Sequence, residues 1–153
     1  MHGISHVIFL PQNWRASDEF MDNLTVEQRS HCMSRVRNRN TDIEAIVRSE
    51  LFRRGWRFRK HVTSLPGCPD IVFMQQRIAV FIDGDFWHGY QFPRWQATLS
   101  GFWRQKIAKN RKRDRNNFAK LRRRGWRVLR IWQHEIKNDL SSCVVRIESF
   151  LTT

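Results

Sequence analysis

Leu65-Pro66-Gly67-Cys68-Pro69-Asp70-Ile71-Val72-Phe73-Met74-Gln75-Gln76-Arg77-Ile78-Ala79-Val80-Phe81-Ile82-Asp83-Gly84-Asp85-Phe86-Trp87-His88 decides the fold of this chain. Two apolar runs rich in β-branched and aromatic residues flank the short Gln75-Gln76 connection, which predicts strands over 71–74 and 77–82 joined as a hairpin. Neither run alternates with polar residues, so both faces of the hairpin are expected to be buried. A hairpin also returns its ends to one edge. Asp70 at the start of the first strand is thereby placed beside Asp83, Asp85 and His88 at the end of the second.

The rest of the chain makes that acidic edge unusual. Lys and Arg number 28 against 14 Asp and Glu, for a formal net charge of +14 and a pI near 11.3. From Arg104 to Arg130 there are thirteen basic residues and a single acid, Asp114. A solvated helix face ordinarily mixes both signs. Carboxylates gathered inside such a chain suit a divalent cation held against a polyanion, since oxygen ligands suit Mg²⁺ and the surrounding cations suit phosphates. The residues therefore point to a metal-dependent nuclease acting on nucleic acid and disfavour an acidic protein or a membrane surface as partner.

Working outward, Thr41-Asp42-Ile43-Glu44 has the form of a capping box, followed by apolar Ile46, Val47 and Leu51 and stopped by Gly55. A short strand is expected over 56–60. Residues 102–124 contain no Gly or Pro and read as a basic helix ending at Gly125; a strand follows over 126–132. Asp139 then caps a last helix with Leu140, Val144, Ile147 and Leu151 at helical spacing. Arg53-Arg54-Gly55-Trp56-Arg57 and Arg123-Arg124-Gly125-Trp126-Arg127 repeat one local chemistry, a glycine that ends a helix and an aromatic that enters the sheet. The order is that of an α/β domain with a mixed sheet covered by helices. A length of 153 residues with 41% hydrophobic content suffices for one domain, expected over 23–153 behind a flexible arm, 1–22. Cys32, Cys68 and Cys143 show no paired spacing, no run of about 18 apolar residues exists, and the N-terminal stretch lacks a signal-peptide pattern, so a reducing cytoplasm is expected.

Taken in order, the motifs Thr-x-Ile-Glu (41–44), Ser-Leu-Pro-Gly-x-Pro-Asp (64–70), Phe-Ile-Asp-Gly-x-Phe-Trp-His (81–88), Phe-Trp-x-x-Lys-Ile-x-x-Asn-x-x-Arg-Asp (102–114) and Leu-x-x-x-Gly-Trp-Arg-Val-Leu-x-x-Trp (121–132) closely resemble those of the very-short-patch repair (Vsr) endonucleases. The resemblance covers about 27–136. It implies a restriction-endonuclease-like three-layer core of the PD-(D/E)xK type, with a mixed central sheet flanked by helices, and Mg²⁺-dependent nicking of duplex DNA beside a T:G mismatch, with Mn²⁺ able to substitute. A group of homing endonucleases shares the scaffold and acts on long matched sites, and a non-catalytic DNA-binding module with the same fold is the remaining alternative.

By resemblance Asp70 matches the carboxylate that bridges metal ions, Ile82 a residue that ligates through its backbone carbonyl, His88 the general base, and Glu44 a residue that organises metal-bound water. Imidazole titrates near neutral pH, which suits a base. Glu44 also fits a purely local role as the third residue of its capping box. Asp83 stands where the best-known member has His, and a carboxylate there adds a metal ligand. The Lys of the general restriction-enzyme pattern would fall at Gly84 or Asp85, which leaves the base role to His88. The family's structural zinc would be ligated from Asp85, Tyr90, Phe92 and His134; two of these do not ligate Zn²⁺, so zinc is expected to be absent, with Tyr90, Phe92, Pro93 and Trp95 packing in its place. Phe86, Trp87 and Trp103 match aromatics wedged into the base stack, and Lys106, Lys109, Asn110, Arg111 and Arg113 are expected to hold phosphates. The expected partner is double-stranded DNA, bound by a monomer.

Overall fold

The elements follow from local chemistry at their ends. A computed structural model describes residues 25–35 and 41–153; the expected arm, 1–22, lies outside the described residues. Its helices are α1 (Val26–Arg35), α2 (Asp42–Arg53), α3 (Phe92–Trp95), α4 (Gly101–Arg123), α5 (Gln133–Asn138) and α6 (Leu140–Thr152), and its strands β1 (Ile71–Phe73), β2 (Ile78–Asp83) and β3 (Arg127–Trp132). The Thr41 hydroxyl accepts from the Glu44 amide at 3.3 Å and starts α2, a cap worth about 1 kcal/mol. Asp139 does the same for α6, accepting from Ser142 N at 2.9 Å.

The two Arg-Arg-Gly-Trp-Arg segments close their helices identically. Gly55 N donates to Phe52 O and Trp56 N to Leu51 O, each at 3.0 Å; Gly125 N donates to Arg122 O and Trp126 N to Leu121 O, also at 3.0 Å. This is the Schellman pattern. It needs a left-handed residue, and Gly55 and Gly125 take φ of +91° and +78°.

The three strands form one mixed sheet in the order β1-β2-β3, β1 antiparallel and β3 parallel to β2. Because successive side chains point to opposite faces, Ile71, Phe73, Ile78 and Val80 pack with Val47 and Leu51 of α2, Ile136 of α5, and Val144 and Ile147 of α6. Val72, Ala79 and Phe81 pack on the other face with Phe118 and Leu121 of α4 and with Trp126. Each such fully buried side chain stabilises by about 1.5–3 kcal/mol. The hairpin is thus buried on both faces, as its unbroken apolar runs require.

Three local readings change. The expected strand over 56–60 is reduced to a single bridge, Arg59 against Val72: Trp56 and Phe58 pack edge-on against Phe73, but His61, at φ +49°, turns the chain out of extension. The hairpin connection takes four residues, 74–77, with Arg77 at φ +53°. Helix α5, which has no clear apolar period, forms because the Glu135 carboxylate turns back to accept from Trp132 N at 2.7 Å. Contacts divide the chain into two compact units. The larger contains 41–90 and 105–153 and holds the sheet. In the smaller, 25–35 and 91–104, Phe92 and Trp95 are buried edge-to-face 5.2 Å apart, and Arg104 donates to Gln96 O and Leu99 O. Among the described residues no helix is long and apolar enough to cross a membrane.

Candidate active site

The sheet sets Asp70 and Asp83 at one edge, as the hairpin reading requires. Asp70 precedes β1, its amide donating to Val80 O at 3.0 Å while its Oδ2 accepts from Ile82 N at 2.7 Å. Asp83 ends β2, paired with Trp132 in parallel register. Both are buried, 9% and 5% exposed.

Two groups of ligand-type side chains form around them. In the first, one atom each of Glu44, His61 and Asp70 lie within 4.8 Å of one another. Glu44 is buried on α2; its Oε1 accepts from the Thr41 hydroxyl at 3.0 Å, and its Oε2 meets Arg48 Nη1 at 3.1 Å and His61 Nε2 at 3.4 Å. One carboxylate oxygen thus meets the Thr41 hydroxyl at the helix start and the other faces Arg48 and His61. In the second group His88 stands between two carboxylates, Nδ1 2.7 Å from Asp114 Oδ2 and Nε2 3.3 Å from Asp83 Oδ1. Arg130 closes this group, with Nε 2.6 Å from Asp83 Oδ2 and Nη2 3.2 Å from Asp114 Oδ2, its guanidinium stacked over Trp132 at 4.1 Å.

Burial pushes the Asp70 carboxyl up to about 7: the Ile82 amide holds it down, while Glu44 and Asp83 raise it further by repulsion. Burial raises Asp83 as well, against the opposing pull of His88 and Arg130. Burial would raise Asp114 too, but the hydrogen bond and charge of His88, with Arg113 at 3.2 Å, outweigh it and hold that carboxyl below its usual range. Like charges packed at low dielectric with a raised pKa are what a bound cation would relieve, and oxygens with an imidazole form a donor set that divalent ions accept. The residues present fit a divalent metal.

The loop 84–90 lies along α4. Asn110 Nδ2 donates to the Trp87 carbonyl at 3.0 Å, and one turn later Asp114 holds His88. Gly89, at φ +68°, has no room for a side chain: a Cβ there would stand 2.6 Å from Arg111 Cδ and 2.9 Å from Ile107 Cγ2.

The family model of the DNA mismatch endonuclease Vsr matches residues 21–94. The chain is 42% identical over 132 residues to the type II nicking enzyme V.XorIIP of Xanthomonas oryzae pv. oryzae, covering 85% of this chain and 96% of that protein. It is 35% identical over 130 residues to the type II nicking enzyme V.NmeDIP of Neisseria meningitidis serogroup C, with 83% and 88% covered. The DNA mismatch endonuclease Vsr of Escherichia coli K12 is 40% identical over 107 residues, 69% of each chain. The chain belongs to the Vsr endonuclease family.

Of the residues that the Vsr resemblance singled out, Glu44, Asp70, Asp83 and His88 come together, and the Ile82 amide touches Asp70. Phe86 and Trp87 are half-buried, edge-to-face at 5.1 Å, whereas Trp103 is 3% exposed and fills a core position. Lys109 and Arg113 are exposed on α4 and Lys106 and Arg111 half-buried; Asn110 uses its amide on the loop instead of facing outward with them. Of the positions expected to replace Vsr zinc ligands, Asp85 and His134 pair at 2.6 Å, and Tyr90 packs against His134 at 4.4 Å and Trp132 at 5.0 Å. Three members of the site were not foreseen: Asp114, Arg130 and His61. Asp114 left a signal, as the one acid in a basic run; Arg130 and His61 left none that spacing could read.

Proposed function

We propose that the protein is a divalent-metal-dependent DNA endonuclease, built on a restriction-endonuclease-like core, that nicks one strand of a duplex distorted by a T:G mismatch and acts as a monomer with Mg²⁺, for which Mn²⁺ substitutes. The observation that carries the reading is His88 held between Asp83 and Asp114 at the same sheet edge as buried Asp70. Names of relatives support it: two are nicking enzymes and one a DNA mismatch endonuclease.

Asp70 and Glu44, with the carbonyl of Ile82 and with Asp83, would hold the ion. Bound there, a divalent ion supplies charge for the scissile phosphate and lowers the pKa of the attacking water. His88 takes the water's proton. With Asp114 2.7 Å from Nδ1, the N–H is kept on that nitrogen and Nε2 is left as the basic one. Taking the proton leaves the ring between Asp83 and Asp114, 3.3 and 2.7 Å from its two nitrogens. Arg130 keeps Asp83 and Asp114 from repelling one another while the ring is neutral. Lys106, Lys109, Arg111 and Arg113 hold the backbone through phosphates, which sets register without reading sequence. Phe86 and Trp87 enter the base stack, where a weakly stacked mismatched step is the cheapest to open.

The test is a nicking assay on end-labelled duplexes, matched and carrying one T:G pair, with Mg²⁺ and with EDTA. Nicking of the mismatched strand with Mg²⁺ that stops in EDTA and in Asp70→Ala is the expected result. Undiminished nicking by Asp70→Ala ends the metal assignment; cleavage confined to a long matched sequence favours a homing nuclease; binding without cleavage under all conditions favours a DNA-binding module.

A further inference from the structure

His61 has no role in the mechanism above, yet the chain goes to some length to place it. Arg59 is pinned to Val72 of β1 by two backbone hydrogen bonds of 2.9 and 2.7 Å. Two residues later the backbone turns through the left-handed region, φ +49°, which His tolerates better than most residues. The imidazole enters the protein with 11% of its side chain exposed, Nε2 3.4 Å from Glu44 Oε2 and Nδ1 3.9 Å from Asp70 Oδ1.

We propose that His61 is a nitrogen ligand of the divalent ion held by Asp70 and Glu44. The inference rests on the reading of Asp70 as a metal-bearing carboxylate. Two ligand atoms each about 2.1 Å from an ion stand about 3 Å apart at right angles and about 4.2 Å apart across it, so one His61 nitrogen, one Glu44 oxygen and one Asp70 oxygen, all within 4.8 Å of one another, close on a single ion with small side-chain movements. The neighbouring group, Asp83, His88 and Asp114, is already balanced by a cation: Arg130 contacts both of its carboxylates and Arg113 a further oxygen. Asp70, by contrast, is met by a neutral amide and by this ring. In the Glu44–His61–Asp70 group Arg48 meets Glu44 Oε2 at 3.1 Å, so it is beside the Asp70 oxygens that an added cation gains most. A nitrogen ligand has a chemical consequence: it moves the site away from Mg²⁺, which prefers an all-oxygen shell, towards first-row transition ions such as Mn²⁺.

The experiment uses the full chain without DNA, titrated with Mn²⁺ and followed by loss of the six-line EPR signal of the aqua ion, with pulsed EPR to detect ¹⁴N coupling on the bound ion. The wild type should bind Mn²⁺ and show histidine ¹⁴N coupling. His61→Gln should bind Mn²⁺ at least 10-fold more weakly and lose that coupling, with a smaller change for Mg²⁺ measured by competition. His88→Gln should keep the coupling. Coupling that survives in His61→Gln, or disappears in His88→Gln, overturns the assignment. The His88→Gln arm stands even if His61 variants fail to fold, because coupling retained there leaves His61 as the imidazole within reach of Asp70. Asp70→Ala separates the two readings: Mn²⁺ binding unchanged in Asp70→Ala removes the metal reading of Asp70 itself, whereas binding lost in Asp70→Ala and unaltered in His61→Gln removes only the role of His61.

Discussion

Asp70→Asn should stabilise the metal-free protein while abolishing its activity. The wild-type carboxyl, ordinarily near 3.8, is pushed by burial to about 7 in the folded state. At about 1.36 kcal/mol per pKa unit this corresponds to about 4 kcal/mol of folding free energy lost once the group ionises. The sign follows from proton counting: between about pH 4 and pH 7 the folded chain holds a proton on Asp70 that the unfolded chain has released, so stability falls as pH rises across that window and levels off above it. An amide at 70 never ionises. It still accepts from Ile82 N, but a neutral acceptor is weaker by about 1 kcal/mol, and the net gain is about 2–3 kcal/mol above pH 7. In a chain of this length that raises Tm by about 4–12 °C. The assay is thermal unfolding in EDTA from pH 5 to 8.5. The difference between the two profiles reports Asp70 together with its coupling to Glu44 and Asp83. Adding Mg²⁺ should raise the wild-type Tm and leave Asp70→Asn nearly unchanged. An Asp70→Asn protein that melts at or below the wild type at pH 8 in EDTA would refute the reasoning.

Other expectations follow from single contacts. Asp114→Asn should lower the single-turnover nicking rate by about 10²–10⁴-fold, the range lost when a general-base histidine is no longer held in its tautomer, with DNA affinity measured by anisotropy unchanged; an equal fall in affinity would make Asp114 a folding residue. Gly89→Ala should destabilise by about 1–3 kcal/mol, since its Cβ would stand 2.6 Å from Arg111 Cδ at a left-handed φ; a melt within 1 °C of the wild type would show that the loop yields easily. Lys109→Ala should weaken binding to every duplex and reduce the salt slope by about 0.9, whereas Trp87→Ala should narrow the preference for a T:G duplex; a salt slope altered by Trp87→Ala and untouched by Lys109→Ala would reverse the two roles.

Much of this was legible in residue order because it is local. The capped start of α2 and the twin glycine stops are each set by residues within six positions of one another, and the hairpin, whose ends meet across 12 residues, brings Asp70 to Asp83. The rest depends on distance in sequence. Asp114 meets His88 across 26 residues and Arg130 meets Asp83 across 47, contacts set by how α4 and β3 pack against β2, and no periodicity reports them. The basic run reads as a surface for phosphate; that its single acid faces inward to hold the His88 ring is visible only once the helix is laid on the sheet. The segment 56–60 misled because aromatic residues at 56 and 58 imitate a strand, while the turn at His61 keeps all but Arg59 out of the ladder.

Asn110 and Asp114 sit about 6 Å apart along the axis of α4 and fasten two consecutive residues of the loop, one by its main chain and one by its ring. Asn110 grips the carbonyl of Trp87 and leaves the indole out of the bond. That hydrogen bond is therefore open to any side chain at 87, while the ring at 88 is held separately by Asp114. A change of side chain at 87 spares this main-chain bond, whereas a change at 89, 110 or 114 strikes a contact that places the loop beside the helix.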